Sequence, residues 1–295
     1  MADIGFIGLG QMGAPMAERL IAPEVRLHVH DTNPTAMVAL VDKGAVAHHS
    51  PTSVADAAEL VFACLPSQPV SRAVAAGVAE GCAVQVYAEM STIGRDTIAG
   101  IADAMGARGI AVVDAPISGG PPGARAGTLA MMAAGSQDAV ARVRPWLARI
   151  GRVVFVIGDT PGMAQVMKLV NNLLIATNMA AAFEALVMGA KAGLDADLMV
   201  DVLNASTGRS PVTTDIVPKA ILPGTFDFGA TTAIMSKDAE LGVAEARALG
   251  VPIWTIEQAA RLWRIGVLQG LGPADMTSLI TLVEGWSGAE VRSRR

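Results

Sequence analysis

The stretch that decides the fold is Gly8-Leu9-Gly10-Gln11-Met12-Gly13, which follows the apolar run Ile4–Ile7 and precedes a helical pattern. Glycines at this spacing between a strand and a helix are typical of a turn that binds the pyrophosphate of a dinucleotide. The first glycine makes the tight turn, the second admits the pyrophosphate, and the third lets helix and strand pack closely. We therefore expect residues 8–13 to bind a dinucleotide cofactor. A purely structural turn is the alternative.

An acidic residue follows the second predicted strand, Val25–His30, at the spacing of a ribose-binding carboxylate. Asp31 lies 18 positions after Gly13, and a carboxylate there binds the adenosine ribose hydroxyls. We place Asn33 in the same cofactor site. None of the three residues after Asp31 is basic, and a carboxylate repels a 2′-phosphate, so the sequence predicts NAD rather than NADP. The alternative for Asp31 is a helix N-cap before Pro34.

The first half of the chain alternates short apolar runs with helical patterns, which predicts βαβ units and a mostly parallel sheet of Rossmann type. Strands are predicted at Ile4–Ile7, Val25–His30, Leu60–Leu65, Val84–Met90, Ala111–Ala115, Leu129–Ala134 and Val153–Ile157. Helices are predicted at Pro15–Ile21, Pro34–Lys43, Pro69–Ala79, Arg95–Gly106 and Asp138–Ile150.

The pattern changes near Gly162, and no convincing strand follows it. A long helix is predicted at Met163–Ala192, a loop at Ser206–Pro211, and further helices at Asp197–Asn204, Thr232–Leu249, Pro252–Ile265 and Met276–Val283. We therefore predict an α/β fold in two parts. A dinucleotide-binding Rossmann-type domain covers 1–162, and an all-α domain for substrate binding and oligomerisation covers 163–295. The long interdomain helix joins them.

Two further strand ends are expected to line the cofactor crevice, because ligands of open α/β sheets lie outside the carboxyl ends of the strands. Leu65, Pro66 and Ser67 end one strand, and Thr92 follows another. We expect all four residues to contact the cofactor.

Hydride transfer at a carbonyl needs a nearby group that donates or accepts a proton. The long helix carries Lys168 and Asn172, which share one helix face because they are four residues apart. We expect this face to look into the cleft between the domains, with Lys168 as the acid/base. A solvated surface lysine is the alternative, but the residues next to Lys168 are apolar. The four histidines have no metal-ligand spacing, and we expect no metal.

A glycine-rich segment, Asp114 to Thr128, follows a predicted strand. The hydroxyl of Ser118 and the backbone N–H groups of Gly119 and Gly120 can form an anion pocket there. A substrate carboxylate is the expected guest, and a simple turn is the alternative.

Composition narrows the function classes. The 295 residues carry a net charge of −5, and the only basic cluster is the short tail Arg292, Arg294 and Arg295, so no nucleic-acid partner is expected. Two cysteines and the absence of a signal-peptide pattern favour the cytoplasm. The apolar stretch Leu169–Ala190 contains asparagines and a glutamate, which argues against a membrane span.

Taken together, these residues resemble the β-hydroxyacid dehydrogenase family, whose members include 3-hydroxyisobutyrate dehydrogenase and tartronate semialdehyde reductase. Residues 8–16, 114–128 and 162–172 are similar to its cofactor, substrate and catalytic motifs, and 236–241 to a fourth motif. The resemblance implies that Lys168 is the general acid/base with Asn172 as its partner, and that Ser118, Gly119 and Gly120 bind the substrate carboxylate. It also implies that Lys237 reaches the cofactor.

The sequence thus predicts an NAD-dependent oxidoreductase acting at the 3-position of a small hydroxy acid. Thr207 and Pro211 depart from the commoner family residues in a loop that is expected near the substrate, which leaves the substrate open. The alternatives are a reductase of a carbonyl or imine without a carboxylate, and a non-catalytic nucleotide-binding relative. The apolar helices suggest a homo-oligomer, either a dimer or a tetramer.

Overall fold

A computed structural model describes residues 1–294 and separates the chain into two compact units. The first covers Met1–Lys168 and the second begins at Leu169. The division falls inside one long helix, six residues after the sequence-based boundary at 162. Arg295, part of the basic tail noted above, lies outside the described residues.

The first unit is built on a nine-stranded sheet. Its strands are β1 Ala2–Ile7, β2 Val25–His30, β3 Val46–Ala47, β4 Leu60–Ala63, β5 Val86–Glu89, β6 Ala111–Asp114, β7 Ile117–Ser118, β8 Leu129–Ala134 and β9 Gly151–Gly158. The order β3-β2-β1-β4-β5-β6 is parallel throughout. Beyond it, β8 pairs antiparallel with β6 and β7 and parallel with β9. The mostly parallel sheet confirms the predicted Rossmann-type class.

Helices cover both faces of this sheet. They are α1 Gly13–Glu18, α2 Thr35–Val41, α3 Pro51–Ala55, α4 Gln68–Ala79, α5 Arg95–Gly106, α6 Gly120–Ala126 and α7 Gln137–Ile150. Successive strand residues point to opposite faces. Phe6 and Phe62, 6.1 Å apart between ring centroids, therefore belong to one core cluster, whereas Ile7 and Val61 belong to the other. Burial on both faces explains why these strands read as continuous apolar runs.

The edge of the sheet differs from its centre. β9 pairs with β8, and Phe155 and Val156 on it are 52 % and 56 % exposed. The sequence prediction of this strand was correct in place, although the strand is longer at both ends.

The second unit is helical. Its helices are α8 Met163–Lys191, which begins in the first unit, then α9 Ala196–Ala205, α10 Thr232–Ala248, α11 Trp254–Gly266 and α12 Ile280–Ser287. Wide π-type turns occur at Val212–Ile221 and Val267–Leu271, and a short 3₁₀ helix at Met276–Leu279. Trp263 is fully buried in the core and donates its indole N–H to the Ala176 carbonyl at 3.0 Å.

By length and composition α8 could cross a membrane, since its most apolar window has a mean hydropathy of 1.6. However, 44 % of that window is buried inside the protein, and Asn172 within the helix makes a buried hydrogen bond. This combination is typical of a core helix.

Several short elements were not predicted. β3, α3, β7 and α6 are each seven residues or fewer, too short for a periodic pattern to appear. The segment Val212–Ile221 was missed because Pro218 inside it argues against a helix. Other predicted elements are in place, with ends shifted by at most four residues, and the predicted helix Met276–Val283 is divided between the 3₁₀ helix and α12.

Candidate active site

The glycine turn follows β1 and has a separate physical need for each glycine. Gly8 has φ +88°, and a Cβ there would lie 2.3 Å from the Cys64 carbonyl oxygen. A Cβ on Gly13 would lie 1.8 Å from the Gly8 carbonyl oxygen. A Cβ on Gly10 would meet no atom within 4 Å. Gly8 and Gly13 are therefore required by packing, whereas Gly10 borders open space.

The other residues of the turn differ in exposure. Leu9 is buried, Met12 is half-buried and Gln11 is exposed. The Gly8 N–H donates to the His30 carbonyl at 3.0 Å, which ties the turn to the end of β2. Asp31, the predicted ribose-binding acid, follows His30 directly.

Asp31 is held in place by backbone donors. Its Oδ2 accepts from the Leu9 N–H at 2.7 Å, and its Oδ1 accepts from the Asn33 N–H at 2.7 Å. The Asn33 side chain accepts from the Thr35 N–H and hydroxyl. Each carboxylate oxygen keeps a further lone pair. The acid is thus positioned beside the glycine turn and can still accept hydrogen bonds from two hydroxyl groups.

The predicted segments after β4 and β5 lie at the same sheet edge as the glycine turn. Ile7 pairs with Ala63, and Ala63 pairs with Glu89, so the carboxyl ends of β1, β4 and β5 are neighbours. Pro66 is exposed, and Leu65, Ser67 and Thr92 are half-buried.

Ser91 and Glu89 hold these two segments together. The Leu65 N–H donates to the Ser91 hydroxyl at 2.6 Å. The Ser91 hydroxyl donates to Glu89, which also accepts from the Tyr87 hydroxyl at 2.8 Å. Burial raises the pKa of the Glu89 carboxyl, which is fully buried.

The predicted anion pocket is a tight corner between a short strand and a short helix, and not a plain loop. Ser118 pairs with Ala130 between β7 and β8 and is half-buried. Gly119 and Gly120 follow with φ +132° and +61°, values that favour glycine, and α6 begins at Gly120. Gly119 is exposed. The corner therefore presents a hydroxyl next to two backbone amides.

Sequence reasoning missed two residues that anchor the start of α8. Asp114, at the end of β6, accepts from the Gly162 N–H at 3.0 Å and the Gln165 N–H at 2.8 Å through Oδ2. Its Oδ1 accepts from the Gln165 side-chain amide at 2.7 Å. Burial raises the Asp114 pKa to about 6. Asp114 was quoted only as part of a motif, and its place after a strand was the available signal.

Lys168 lies in α8 one turn after this anchored start and is 9 % exposed. Asn172 follows one turn later in the same helix. Its side-chain N–H donates to Asp238 at 2.7 Å, and its Oδ1 accepts from Asn171 at 3.0 Å. The alternative of a freely solvated lysine does not fit this degree of burial.

Asp238, the acceptor of the Asn172 amide, is 5 % exposed. Its other oxygen lies 3.0 Å from the Nζ of Lys237, whose side chain is 33 % exposed. Asp238 therefore connects Asn172 to Lys237 of the fourth predicted motif, within the helical unit. Asp238 was missed because only its lysine neighbour had been singled out.

The structure places the predicted residues in four groups. The glycine turn, Asp31 and the ends of β4 and β5 share one sheet edge, and Ser118, Gly119 and Gly120 form the corner after β7. Lys168 ends the first unit, whereas Asn172 and Lys237 belong to the helical unit. Among residues 1–294, no cluster of three histidine, cysteine, aspartate or glutamate side chains is arranged to hold a metal.

Comparison with known proteins identifies two family matches that together cover most of the chain. Residues 3–158 match the family described as the NAD binding domain of 6-phosphogluconate dehydrogenase. Residues 162–283 match the family described as NAD-binding of NADP-dependent 3-hydroxyisobutyrate dehydrogenase.

Individual proteins are similar over nearly their full length. The 2-(hydroxymethyl)glutarate dehydrogenase of Eubacterium barkeri is 35 % identical over 98 % of this chain and 97 % of its own. The 3-hydroxyisobutyrate dehydrogenase of Pseudomonas aeruginosa is 36 % identical over 84 % and 87 %. The 3-hydroxyisobutyrate dehydrogenase of Mycobacterium tuberculosis, solved with L-serine, superposes with a TM-score of 0.85 at 28 % identity, covering 96 % of this chain and 99 % of that one.

Proposed function

The chain belongs to the β-hydroxyacid dehydrogenase family and is an NAD-dependent dehydrogenase of hydroxy acids, and from this premise we propose its substrate class and the role of each site residue. The proposed substrate is a small acid with a hydroxymethyl group on the carbon that bears the carboxylate, interconverted with its aldehyde. The compounds named for the three similar proteins, 2-(hydroxymethyl)glutarate, 3-hydroxyisobutyrate and L-serine, share this unit. They differ in the third substituent of the carbon that bears the carboxylate.

The glycine turn and Asp31 are proposed to hold the cofactor. The open space at Gly10 accepts the pyrophosphate, and the Asp31 carboxylate accepts from the ribose hydroxyls, with Asn33 beside it. Leu65, Pro66, Ser67 and Thr92 are proposed as further contacts at the same sheet edge, and Lys237 on its motif resemblance. Because Asp31 would meet a 2′-phosphate with like charge, NAD is proposed to be preferred over NADP.

Bound NAD supplies the hydride acceptor or donor, and the chain's own residues orient the acid and move a proton. Ser118 and the amides of Gly119 and Gly120 are proposed to hold the carboxylate. In the oxidation direction, Lys168 Nζ takes the hydroxyl proton as the carbonyl forms, and in reduction it returns that proton. Asn172 is proposed to position the lysine or the hydroxyl.

The observation that carries this assignment is the burial of Lys168. Lys168 is 9 % exposed, and lysines are rarely buried to this degree on the solvated face of a helix. The residue lies at the position of the family's catalytic motif, one turn after a helix start that is tied to the strand ends.

The test compares each acid with its methyl ester. Turnover with NAD is measured for 3-hydroxyisobutyrate, 2-(hydroxymethyl)glutarate, L-serine and glycerate, and for their esters. Losing one charge-assisted hydrogen bond costs about 1.5–3 kcal/mol, or roughly 10- to 150-fold in kcat/KM. We expect Ser118→Ala to lower kcat/KM for the acid by about that factor and to be less sensitive than the parent to esterification.

Ser136→Ala is the matched control, because Ser136 caps α7 far along the chain from the corner. If acid and ester turn over equally well in the parent, the carboxylate pocket is wrong. The carboxylate-independent reductase then becomes the better description.

We also propose a homo-oligomer in a reducing compartment such as the cytoplasm. Neither Cys64 nor Cys82 forms a disulfide. Five large apolar side chains of α8 are between 38 % and 71 % exposed, an unusual amount for one helix of a monomer: Met163, Met167, Val170, Leu174 and Met188. Light scattering on the purified protein tests this proposal, and a monomeric mass at micromolar concentration would contradict it.

A further inference from the structure

Gln165 is a fully buried amide whose four hydrogen bonds lie within the first unit. Its Oε1 accepts from the Ile93 N–H at 2.8 Å and the Gly94 N–H at 3.0 Å. Its Nε2 donates to the Ser91 carbonyl at 2.9 Å and to Asp114 Oδ1 at 2.7 Å. Two donated and two accepted bonds saturate a primary amide.

The backbone partners fix the orientation of this amide. N–H groups require an acceptor and a carbonyl requires a donor, so the oxygen must face Ile93 and Gly94 and the nitrogen must face Ser91. The second N–H of Gln165 Nε2 then points at Asp114, whose carboxylate oxygen accepts it. Gln165 and Asp114 are therefore complementary only as an amide next to a carboxylate.

The amide connects three strand-end elements to the start of α8. Ser91, Ile93 and Gly94 follow β5, and Asp114 ends β6. The Gly162 and Gln165 N–H groups, which have no backbone acceptor at the start of a helix, donate to Asp114. The four bonds of the Gln165 side chain add to these two backbone bonds, and an apolar side chain of the same size would keep the backbone bonds but lose the other four.

We propose that Gln165 is a positioning residue for Lys168, acting through Asp114 and the strand ends. Gln165 and Lys168 are three residues apart in α8 and therefore adjacent on its surface. A change in the helix start moves the lysine with it, and a misplacement of about 1 Å can cost roughly 100-fold in rate. The inference rests on the proposed role of Lys168.

The experiment uses two Gln165 variants and one control. Gln165→Met keeps the size and removes all four side-chain bonds. Gln165→Glu keeps the shape but faces Asp114 with a second carboxylate. Gln68→Met is the matched control, because the Gln68 amide bonds to the same backbone segment. It donates to the Ile93 carbonyl at 2.7 Å and to the Thr97 hydroxyl, and both partners lie outside α8.

Each variant is assayed with NAD and with the acid of the panel above that the parent turns over fastest. Calorimetry measures NAD affinity, and circular dichroism checks folding. We expect Gln165→Met to lower kcat about 100-fold, with NAD affinity changed by less than about threefold. Gln68→Met should stay within about threefold of the parent in both quantities.

The Gln165→Glu variant gives a signature that a purely structural role would not. Two adjacent carboxylates cannot both ionise easily, so they take up one shared proton as the pH falls. That proton restores the bond to Asp114, and kcat relative to the parent should rise at least about tenfold from pH 8 to pH 6. Three charged groups are neighbours of residue 165, and Gln165→Met retains all of them. They are Asp114, Glu89, which lies behind Ser91, and Arg95, whose side chain packs against Gly162.

The inference is overturned if folded Gln165→Met keeps kcat within about threefold of the parent. It is also overturned if the kcat ratio of Gln165→Glu to the parent does not change with pH. If Gln165→Met does not fold, the Gln165→Glu profile decides alone. Failure of the proposed function is distinguished by Lys168→Ala: an active Lys168→Ala removes the lysine itself from the mechanism, whereas an inactive one with normal Gln165 variants removes only the positioning role.

Discussion

The two units satisfy their buried polar side chains in different ways. In the first unit, Asp31, Ser91 and Asp114 accept hydrogen bonds from backbone N–H groups that follow a strand or begin a helix. These partners are supplied by the fold itself, because the carboxyl ends of parallel strands meet at one edge.

In the helical unit, three buried polar side chains pair with other side chains that lie between 8 and 96 residues away. Asn172 donates to Asp238, 66 residues away. Glu284 accepts two bonds from Arg292, and Asp197 accepts from Ser293, which is 96 residues away. A strand pattern therefore marks the positions where polar groups held by strand ends occur, although it does not say which of them are used. The partners of paired side chains depend on the tertiary arrangement.

The largest effect is expected from Lys168, which lies where the backbone-held region ends. Lys168→Ala should lower kcat by about 100-fold or more while NAD affinity stays within a few-fold, because general acid/base catalysis contributes roughly 10²–10⁴. Lys191→Ala, at the exposed end of the same helix, is the control. Near-normal kcat in folded Lys168→Ala would place the chemistry elsewhere.

The next effect concerns stability of the helical unit. Arg292 lies 2.8 Å from Glu284, whose side chain is 6 % exposed, and its removal leaves a buried carboxylate without its charge partner. Because Arg292 is itself 28 % exposed, we expect Arg292→Ala to lower the free energy of unfolding by about 2–3 kcal/mol, at or below the range for a fully buried pair. Urea unfolding followed by circular dichroism measures this loss.

Arg294→Ala controls for the Arg292 measurement, because the Arg294 bond to Asp197 comes from its backbone N–H, which alanine keeps. Equal midpoints for the parent and Arg292→Ala would show that the stability of the helical unit does not depend on this ion pair.

A smaller effect is expected at Asp31. Asp31→Asn removes the charge and one backbone bond, and should lower kcat/KM for NAD about tenfold while raising the NADP-to-NAD ratio. Asp42→Asn, exposed after α2, should change neither value. A parent enzyme that uses NADP as well as NAD would contradict the assignment.

The smallest effect is expected on the pH dependence of stability, at a cluster of side chains in the first unit that bond to one another and not to strand-end backbone groups. His28 bonds to both His48 and Asp3. Burial lowers the pKa of His48, and His28, His49 and His30 lower it further, against a small opposing effect of Asp56. A lowered folded-state pKa means that stability is fully present above the unfolded value of about 6.5 and is lost as the pH falls through the folded value.

His48→Asn should remove that loss. The measured quantity is the difference in unfolding free energy between parent and variant at pH 7.5 and pH 5. This difference is required because Asp114, with its pKa raised to about 6, titrates with the opposite sign in both proteins. Parallel pH dependence in the two proteins would show that His48 does not titrate differently on folding.

The same contrast explains how much the sequence could predict. The Rossmann-type sheet, the position of Asp31 directly after β2 and the long helix α8 followed from spacing and periodicity, because local backbone geometry determines them. The role of Asp31 stays a prediction. Gln165, by contrast, lies within a quoted motif, but its partners at residues 91–94 are more than 70 positions away and only the folded chain shows them. Val212–Ile221 was missed because an internal proline outweighed its helical pattern.

The edge strand β9 has a consequence for how the protein behaves when heated. Its run Val153–Ile157 is apolar, lies at the sheet edge and exposes Phe155 and Val156. Such an edge can pair with the same strand of another molecule once the surrounding structure loosens. Thermal unfolding is therefore expected to end in aggregation, and an apparent Tm will depend on scan rate. A lysine at Phe155, which faces solvent, should make refolding more complete.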